Sequence, residues 1–376
     1  MMGASGNAAL AGDTLSLHGS ATPIAGTVSS ISDAGVTFTV TGETDSTLYT
    51  WDRVRAVSSQ SFAQAADLYQ NTAETLWRAR SRLQRGDVEL ALPLFESVFP
   101  DELGRNHETA LIAAAGLARC QIAMGQQQLA VIPSLEAIRL LRKGINTKAY
   151  DALPEFVDST FWLPVNLPPV FLASPALARL RTTLENYDAQ GDTYIASLAK
   201  AYLAAVEQSM PGNTAIAASP PDSAAIKDAG RQLLTRLLAL TSATATDRQS
   251  ARAETLRVMD SLPPFAQAWS RFQLGRSLLA EADLQSQQQG MLNLAYLPAT
   301  CRTTQPFLAA LSLNELSRAL DATGDSTAAA SIRTDLHQYF PHLAPTLVPL
   351  APVGVTPAQT MPETAPATAP TTQESL

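Results

Sequence analysis

The sequence predicts a mainly α-helical chain: an α-α superhelix, a solenoid of irregular helix pairs, preceded by a small β-barrel. A change of period and one spaced set of small residues predict it. Over residues 12–58 apolar positions alternate by two, as on a strand with one buried face; from residue 59 they return every three or four positions, as on an amphipathic helix. The spaced set lies around RLQRGDVELALPLFESVF at 82–99, where Gly86-Asp87 divides two helical runs. Ala79 and Ala91 flank that corner, and Phe95 follows.

The β region comes first. Val36, Phe38 and Val40 alternate with Thr37 and Thr39, and turn residues fall at 32–35 and 41–47, which leaves room for four or five short strands. So small a module needs its large side chains inside, so Trp51 is expected in the barrel core. Residues 1–11 are read as a disordered leader. Within them Ala9-Leu10-Ala11 has the form of an export cleavage site, which suggests a periplasmic or cell-envelope protein, with the cytoplasm as the alternative.

Residues 59–142 open the helical part. Phe62, Ala65, Tyr69, Ala73, Leu76, Ala79 and Leu83 keep to one side of a long helix, with Arg78, Arg82 and Arg85 opposite as a solvated face or an anion-binding stripe. At its end, Gly86 can close the helix in the left-handed conformation, and Asp87 can accept the free N–H groups of the next. Small residues on both sides let the two helices approach, and Phe95 fills the space between them. The pattern recurs around Gly125 with Ala118, Ala130 and Ala137, and around Gly324 with Ala329 and a closing Pro341. Around Gly191 it keeps Ala196 but has Leu184 where the small residue should stand.

This spacing resembles the tetratricopeptide repeat, a helix-turn-helix unit of about 34 residues. The usual early Trp and Tyr of that repeat are absent from these copies. The wording PIAGTVSSISDAGVTFTV and LYTWDRVRAV resembles the small SH3-like or Sm-like barrels at the front of some bacterial envelope proteins. The repeat resemblance implies a surface that holds extended peptides or partner helices.

Residues 143–176 break the helical pattern. Prolines cluster there with Phe156, Phe161, Trp162 and Phe171, so the segment either fills the groove of the solenoid or offers a docking surface. Phe161, Trp162 and Phe171 are the interaction candidates. Helical repeats resume over 177–341, with stripes at Leu177, Leu180 and Leu184, at Leu233, Leu234, Leu237 and Leu238, and at Phe265, Trp269 and Phe272. Residues 210–223 read as a linker, and the Pro/Thr/Ala-rich tail at 342–376 has nothing to bury.

A net charge of −8 opposes binding to a phosphate backbone, so no nucleic-acid partner is expected. The two cysteines, Cys120 and Cys301, supply neither a disulfide framework nor a zinc spacing and are read as small buried residues. No catalytic, cofactor or metal motif appears, and Ser197 with Lys200 forms an S-x-x-K match without companion elements. Carboxylates such as Glu102 and Glu108 have no apolar setting to tune their pKa values. The expected function is a non-catalytic scaffold for a protein or peptide partner, with no cofactor and an unspecified oligomeric state. One alternative is nucleic-acid binding through the barrel, using Arg53 and Arg55 beside Trp51. The other is an enzyme whose site is assembled from scattered residues, Ser197 or His107 among them.

Overall fold

The computed structural model describes residues 12–210, 228–348, 350 and 353. Five strands come first: β1 (Asp13–Leu17), β2 (Ile24–Ser32), β3 (Gly35–Val40), β4 (Ser46–Tyr49) and β5 (Val54–Ser58). They form one antiparallel sheet in the order β4-β3-β2-β1-β5, with Val28 opposite Phe38 and Leu15 opposite Val57. The expected barrel is not formed. β4 and β5 are the two edges of the sheet and do not pair, so it stays open.

A helix covers the apolar face that a barrel would have turned inward. Leu15, Val28, Val36, Phe38 and Val54 are buried, and α1 (Ala63–Gln84) packs on β5 and β2. Trp51 is buried, stacked on Tyr69 of α1 at 4.9 Å, and its indole donates to the Ser32 carbonyl at 2.9 Å. Beside it the buried Asp52 pairs with Arg80 of α1, and His18 lies flat on Trp77 at 4.1 Å.

Eleven further helices follow among the described residues: α2 (Val88–Glu102), α3 (Glu108–Ala123), α4 (Gln127–Arg142), α5 (Pro175–Glu185), α6 (Thr193–Ser209), α7 (Ala229–Ala239), α8 (Ala245–Val258), α9 (Pro264–Leu279), α10 (Leu284–Thr300), α11 (Pro306–Ala322) and α12 (Ser326–Tyr339). Each packs on the next in the chain. Contacts also skip one helix, from α1 to α3, α4 to α6, α7 to α9 and α9 to α11. The spaced residues sit in these contacts. Ala79, Ala91 and Phe95 are fully buried, as are Ala118, Ala130, Ala137 and Ala329, whereas Ala196 is only half-buried. Gly116 of α3 shows how close the approach is, because a Cβ there would strike the Phe95 ring and the Tyr150 hydroxyl.

The corners differ from expectation in one respect. Gly86, Gly125, Gly191 and Gly324 all take positive φ, between 71° and 88°. Asp87, however, does not cap α2: its carboxylate turns to Arg85, 3.5 Å away, and accepts no backbone N–H. At these four glycine corners the side chains that do cap are Asp192, from Tyr194 and Ile195, and Asp325, from Ala328. The corner with the weakest spacing therefore has a full side-chain cap, since capping and packing are separate requirements.

A buried polar cluster ties successive pairs together. Arg139 of α4 has no solvent exposure. Its guanidinium donates to Glu136 at 2.6 and 3.0 Å, to Asn106 at 2.6 Å, to Gln190 at 2.9 Å and to the Arg105 carbonyl at 2.9 Å. Tyr187 donates to the other Glu136 oxygen at 2.6 Å, and Gln190 donates back to the Gly104 carbonyl. One side chain thus joins the α2–α3 loop, α4 and the α5–α6 loop, with its charge paired and its donors used.

The expectation that the tail at 342–376 has nothing to bury is corrected. Residues 344–346 form a 3-10 turn, and Leu350 is 4% exposed within the core. Leu343 lies so close to Gly125 that a Cβ there would strike it, so the segment that follows α12 meets the α3–α4 corner. Leu350 is the apolar residue that the tail's polar composition concealed. Residues 1–11 and 211–227, and with them the readings of a leader and of most of the linker, lie outside the described residues, as does most of the tail past 350.

Candidate functional site

Residues 143–174 run between α4 and α5 as a strap, with one short hairpin of β6 (Val157–Asp158) and β7 (Leu163–Pro164). Their prolines rule out a helix, and their apolar residues go inward. Phe156, Leu163, Leu167, Val170 and Phe171 are buried. Polar side chains from distant helices then satisfy the carbonyls that this irregular backbone leaves over. Tyr194 donates to Phe161 at 2.7 Å, Tyr202 to Leu167 at 2.9 Å and Gln305 to Val165 at 2.8 Å. Gly230 of α7 has no room for a side chain, because a Cβ would strike the Phe161 carbonyl.

The three interaction candidates separate. Phe171 is 1% exposed and leans on Tyr202 with ring centroids 6.3 Å apart. Phe161 and Trp162 are half-buried and share the hairpin turn. Asp158 shapes that turn by accepting from the Thr160 and Phe161 N–H groups at 2.9 and 2.8 Å. Phe161 meets Phe265 edge-on at 5.7 Å. Trp162 has φ of 50°, a left-handed conformation that a bulky residue adopts only when its surroundings impose it. The Arg142 guanidinium lies 5.5 Å from its ring and 4.3 Å from that of Tyr194, and pairs with Asp192 at 3.1 Å.

On another side of the strap is a cleft of about 230 Å³ between α3, the strap and the start of α11. Arg119, Ile122, Gln127, Glu155, Phe156, Asn166 and Phe307 contribute to its wall. Gln127 is 1% exposed, yet neither its carbonyl oxygen nor its amide nitrogen has a hydrogen-bond partner; Nε of Arg119 and Oδ1 of Asn166 are also unpartnered. Burial holds the Arg119 guanidinium below its usual pKa. Sequence reading missed this group, because Gln127 sits in a run of three glutamines that reads as a solvated corner. Arg119 was the one available signal, a lone cation in the otherwise apolar run of α3.

A second polar group corrects the sequence reading of Glu102. The carboxyl lies 7% exposed at the end of α2, and burial first, then the nearby Asp33, push its pKa up to about 7. The apolar setting comes from the packing of α2 on its neighbours, which the local sequence does not reveal. His107 caps α3 by accepting from the Ala110 N–H at Nδ1, which places the imidazole proton on Nε2. That nitrogen stands 3.6 Å from both Glu102 and Asp33. Burial lowers the His107 pKa.

The two shifts act in opposite directions. Glu102 is protonated more readily in the fold than in the unfolded chain, so its contribution to stability is lost as pH rises from about 4.5 through 7. His107, whose pKa burial lowers from 6.5, costs stability as pH falls below about 6.5. Glu102→Gln should therefore gain on the wild type as pH rises through about 7. At 1.36 kcal/mol per unit, the shift from 4.5 sets a ceiling of roughly 3 kcal/mol. Denaturant melts of both proteins across that range test it; parallel stability curves would contradict it.

Other sequence candidates hold ordinary structural contacts. The Ser197 hydroxyl donates to the Tyr194 carbonyl one helical turn back at 2.7 Å. Arg78 pairs with Glu74, Arg82 donates to the Leu90 carbonyl and Arg85 faces Asp87. Because Trp51 is buried, the nucleic-acid alternative lacks its stacking ring, while Arg53 and Arg55 remain exposed. Cys120 is buried, its thiol pushed up to about 12 by desolvation; Cys301 is only half-buried, which corrects its expected burial. Among the described residues no cluster of His, Cys, Asp and Glu is arranged to hold a metal ion. No helix among them is long and apolar enough to cross a membrane.

Compared with known proteins, the chain matches no family model, no curated protein and no solved structure. The resemblance to the tetratricopeptide repeat therefore rests on the spaced residues of the sequence alone.

Proposed function

We propose that the chain is a non-catalytic scaffold whose stacked helix pairs, read as a superhelix resembling tetratricopeptide repeats, bind a protein or peptide partner. The contact is the Phe161–Trp162 turn. One observation carries this reading: a tryptophan held at positive φ, half-exposed, with a guanidinium beside its ring. A large aromatic fixed in place at the surface is what partner-binding hot spots are made of, because little side-chain freedom is lost on docking.

The test is a selection of peptides from a random displayed library against the full chain, followed by titration onto variants. Trp162→Ala should weaken the selected peptides about 30-fold or more, the equivalent of roughly 2 kcal/mol. Leu256→Ala, at a residue 61% exposed on α8, should leave them unchanged. Failure to select any peptide, or equal binding by both variants, would contradict the proposal.

A further inference from the structure

The segment that follows α12 crosses the helix pairs. Leu343 and Leu347 pack on the small apolar cluster of α11 and α12, and Leu347 also touches the main core, in which Leu350 is buried. Leu350 and Val353 lie in a trough. One side is Val170 of the strap with Ala205 of α6; the other is Leu279 of α9, Met291 of α10 and Ala319 of α11. We infer that this trough is a groove for an extended, proline-containing peptide with a leucine anchor, and that residues 345–353 of the chain occupy it as an internal ligand that such a peptide displaces. The surface is separate from the Phe161–Trp162 contact.

The occupant has the chemistry of such a peptide. It reads PTLVPLAPV, with prolines at 345, 349 and 352. Proline fixes φ and carries no N–H, so a segment of this kind is largely extended before it docks and needs few acceptors for its backbone. Its inward side chains follow the period of a polyproline helix, three residues per turn. Leu347 is half-buried, Leu350 buried and Val353 half-buried, whereas Val348 is exposed. Leu347 itself has φ of −74° and ψ of 117°, an extended backbone close to that helix. Arg276 borders both sides of the trough beside Leu350 and Val353, and a guanidinium brings five N–H donors to a backbone rich in carbonyls.

The hold on this occupant is slight. Leu350 is the one fully buried anchor among these three, and burying one leucine favours the closed arrangement only about 10- to 100-fold. The α9–α11 side also keeps an unfilled volume of about 400 Å³, within the size range of ligand pockets. A groove that its occupant fills in part, through a single anchor, admits a segment that fits it better.

Fluorescence anisotropy with a labelled synthetic peptide of residues 345–353 tests the inference on the full chain. Leu350→Asp places a charge in the apolar site and expels the internal copy. That variant should bind the peptide about tenfold or more tightly than the wild type, whose groove is already filled. The peptide made with the same substitution should not bind. If Leu350→Asp loses the helical circular-dichroism spectrum, Leu350→Ala takes its place with the same expected gain.

No binding to either variant would overturn the inference, as would equal binding by variant and wild type. A wild type that sediments as a dimer, and that Leu350→Asp turns into a monomer, would overturn it in favour of segments exchanged between two copies. Trp162→Ala added to Leu350→Asp should leave the peptide affinity unchanged, so the groove and the scaffold contact stand or fall separately. A loss of affinity there would assign the peptide to the Phe161–Trp162 turn and overturn the groove.

Discussion

Arg139→Met should destabilise the chain by about 3–5 kcal/mol, read as the shift in a urea-unfolding midpoint. The guanidinium is wholly buried and its removal leaves the Glu136 carboxylate, 2% exposed, without its counter-charge. Asn106, Gln190 and the Arg105 carbonyl lose partners in the same step. Removing both charges is the informative comparison. Arg139→Met combined with Glu136→Leu should recover part of the loss, because an apolar pair of similar volume no longer strands a buried charge, although Tyr187 then lacks its acceptor. A single variant as stable as the wild type would mean that the loops at 104–106 and 187–191 are not held by this cluster.

Phe171→Ala should cost about 3–5 kcal/mol, the usual loss for emptying a buried phenylalanine site. It should also leave the affinity of any peptide that contacts Trp162 unchanged once folded protein is compared with folded protein. The two halves of this result separate Phe171 from the other two aromatic candidates. Phe171 lies in the core beside Tyr202, whereas Phe161 and Trp162 share a half-exposed turn. A stable Phe171→Ala variant with reduced peptide affinity would place that ring at the surface and contradict the described packing.

What was legible in the sequence followed from local rules. Alternation by two gave strands between 12 and 58, and the glycines at 86, 125, 191 and 324 marked helix ends because each needs the left-handed backbone. Ala79, Ala91 and Phe95 were legible as contacts because their spacing repeats. The rest depended on what distant segments do. The sheet stays open because α1 covers its apolar face, a choice between helix and strand closure that alternation does not encode. The aspartate of the Gly86 corner was misread as a cap, since the dipeptide fixes the backbone turn but not where the carboxylate points. Glu102, Arg119 and Gln127 acquire their buried settings only when separate parts of the chain meet, and no local period records that. Composition marks Phe161 and Trp162 as candidates, but the positive φ of Trp162 has no sequence signal such as glycine or asparagine.

The central claim is that the strap is built into the interior and holds both the Trp162 turn and the Arg119 cleft in fixed shape. Hydrogen exchange of the intact chain tests it most directly. The Trp162 amide is bonded to the Asp158 carbonyl at 2.7 Å and the Val165 amide to the Phe156 carbonyl at 3.0 Å. These amides should exchange as slowly as those of the core helix α9, since opening them requires lifting Leu163, Leu167 and Phe171 out of the core. Exchange of residues 156–172 at the rate of an open loop, with α9 still protected, would contradict the account.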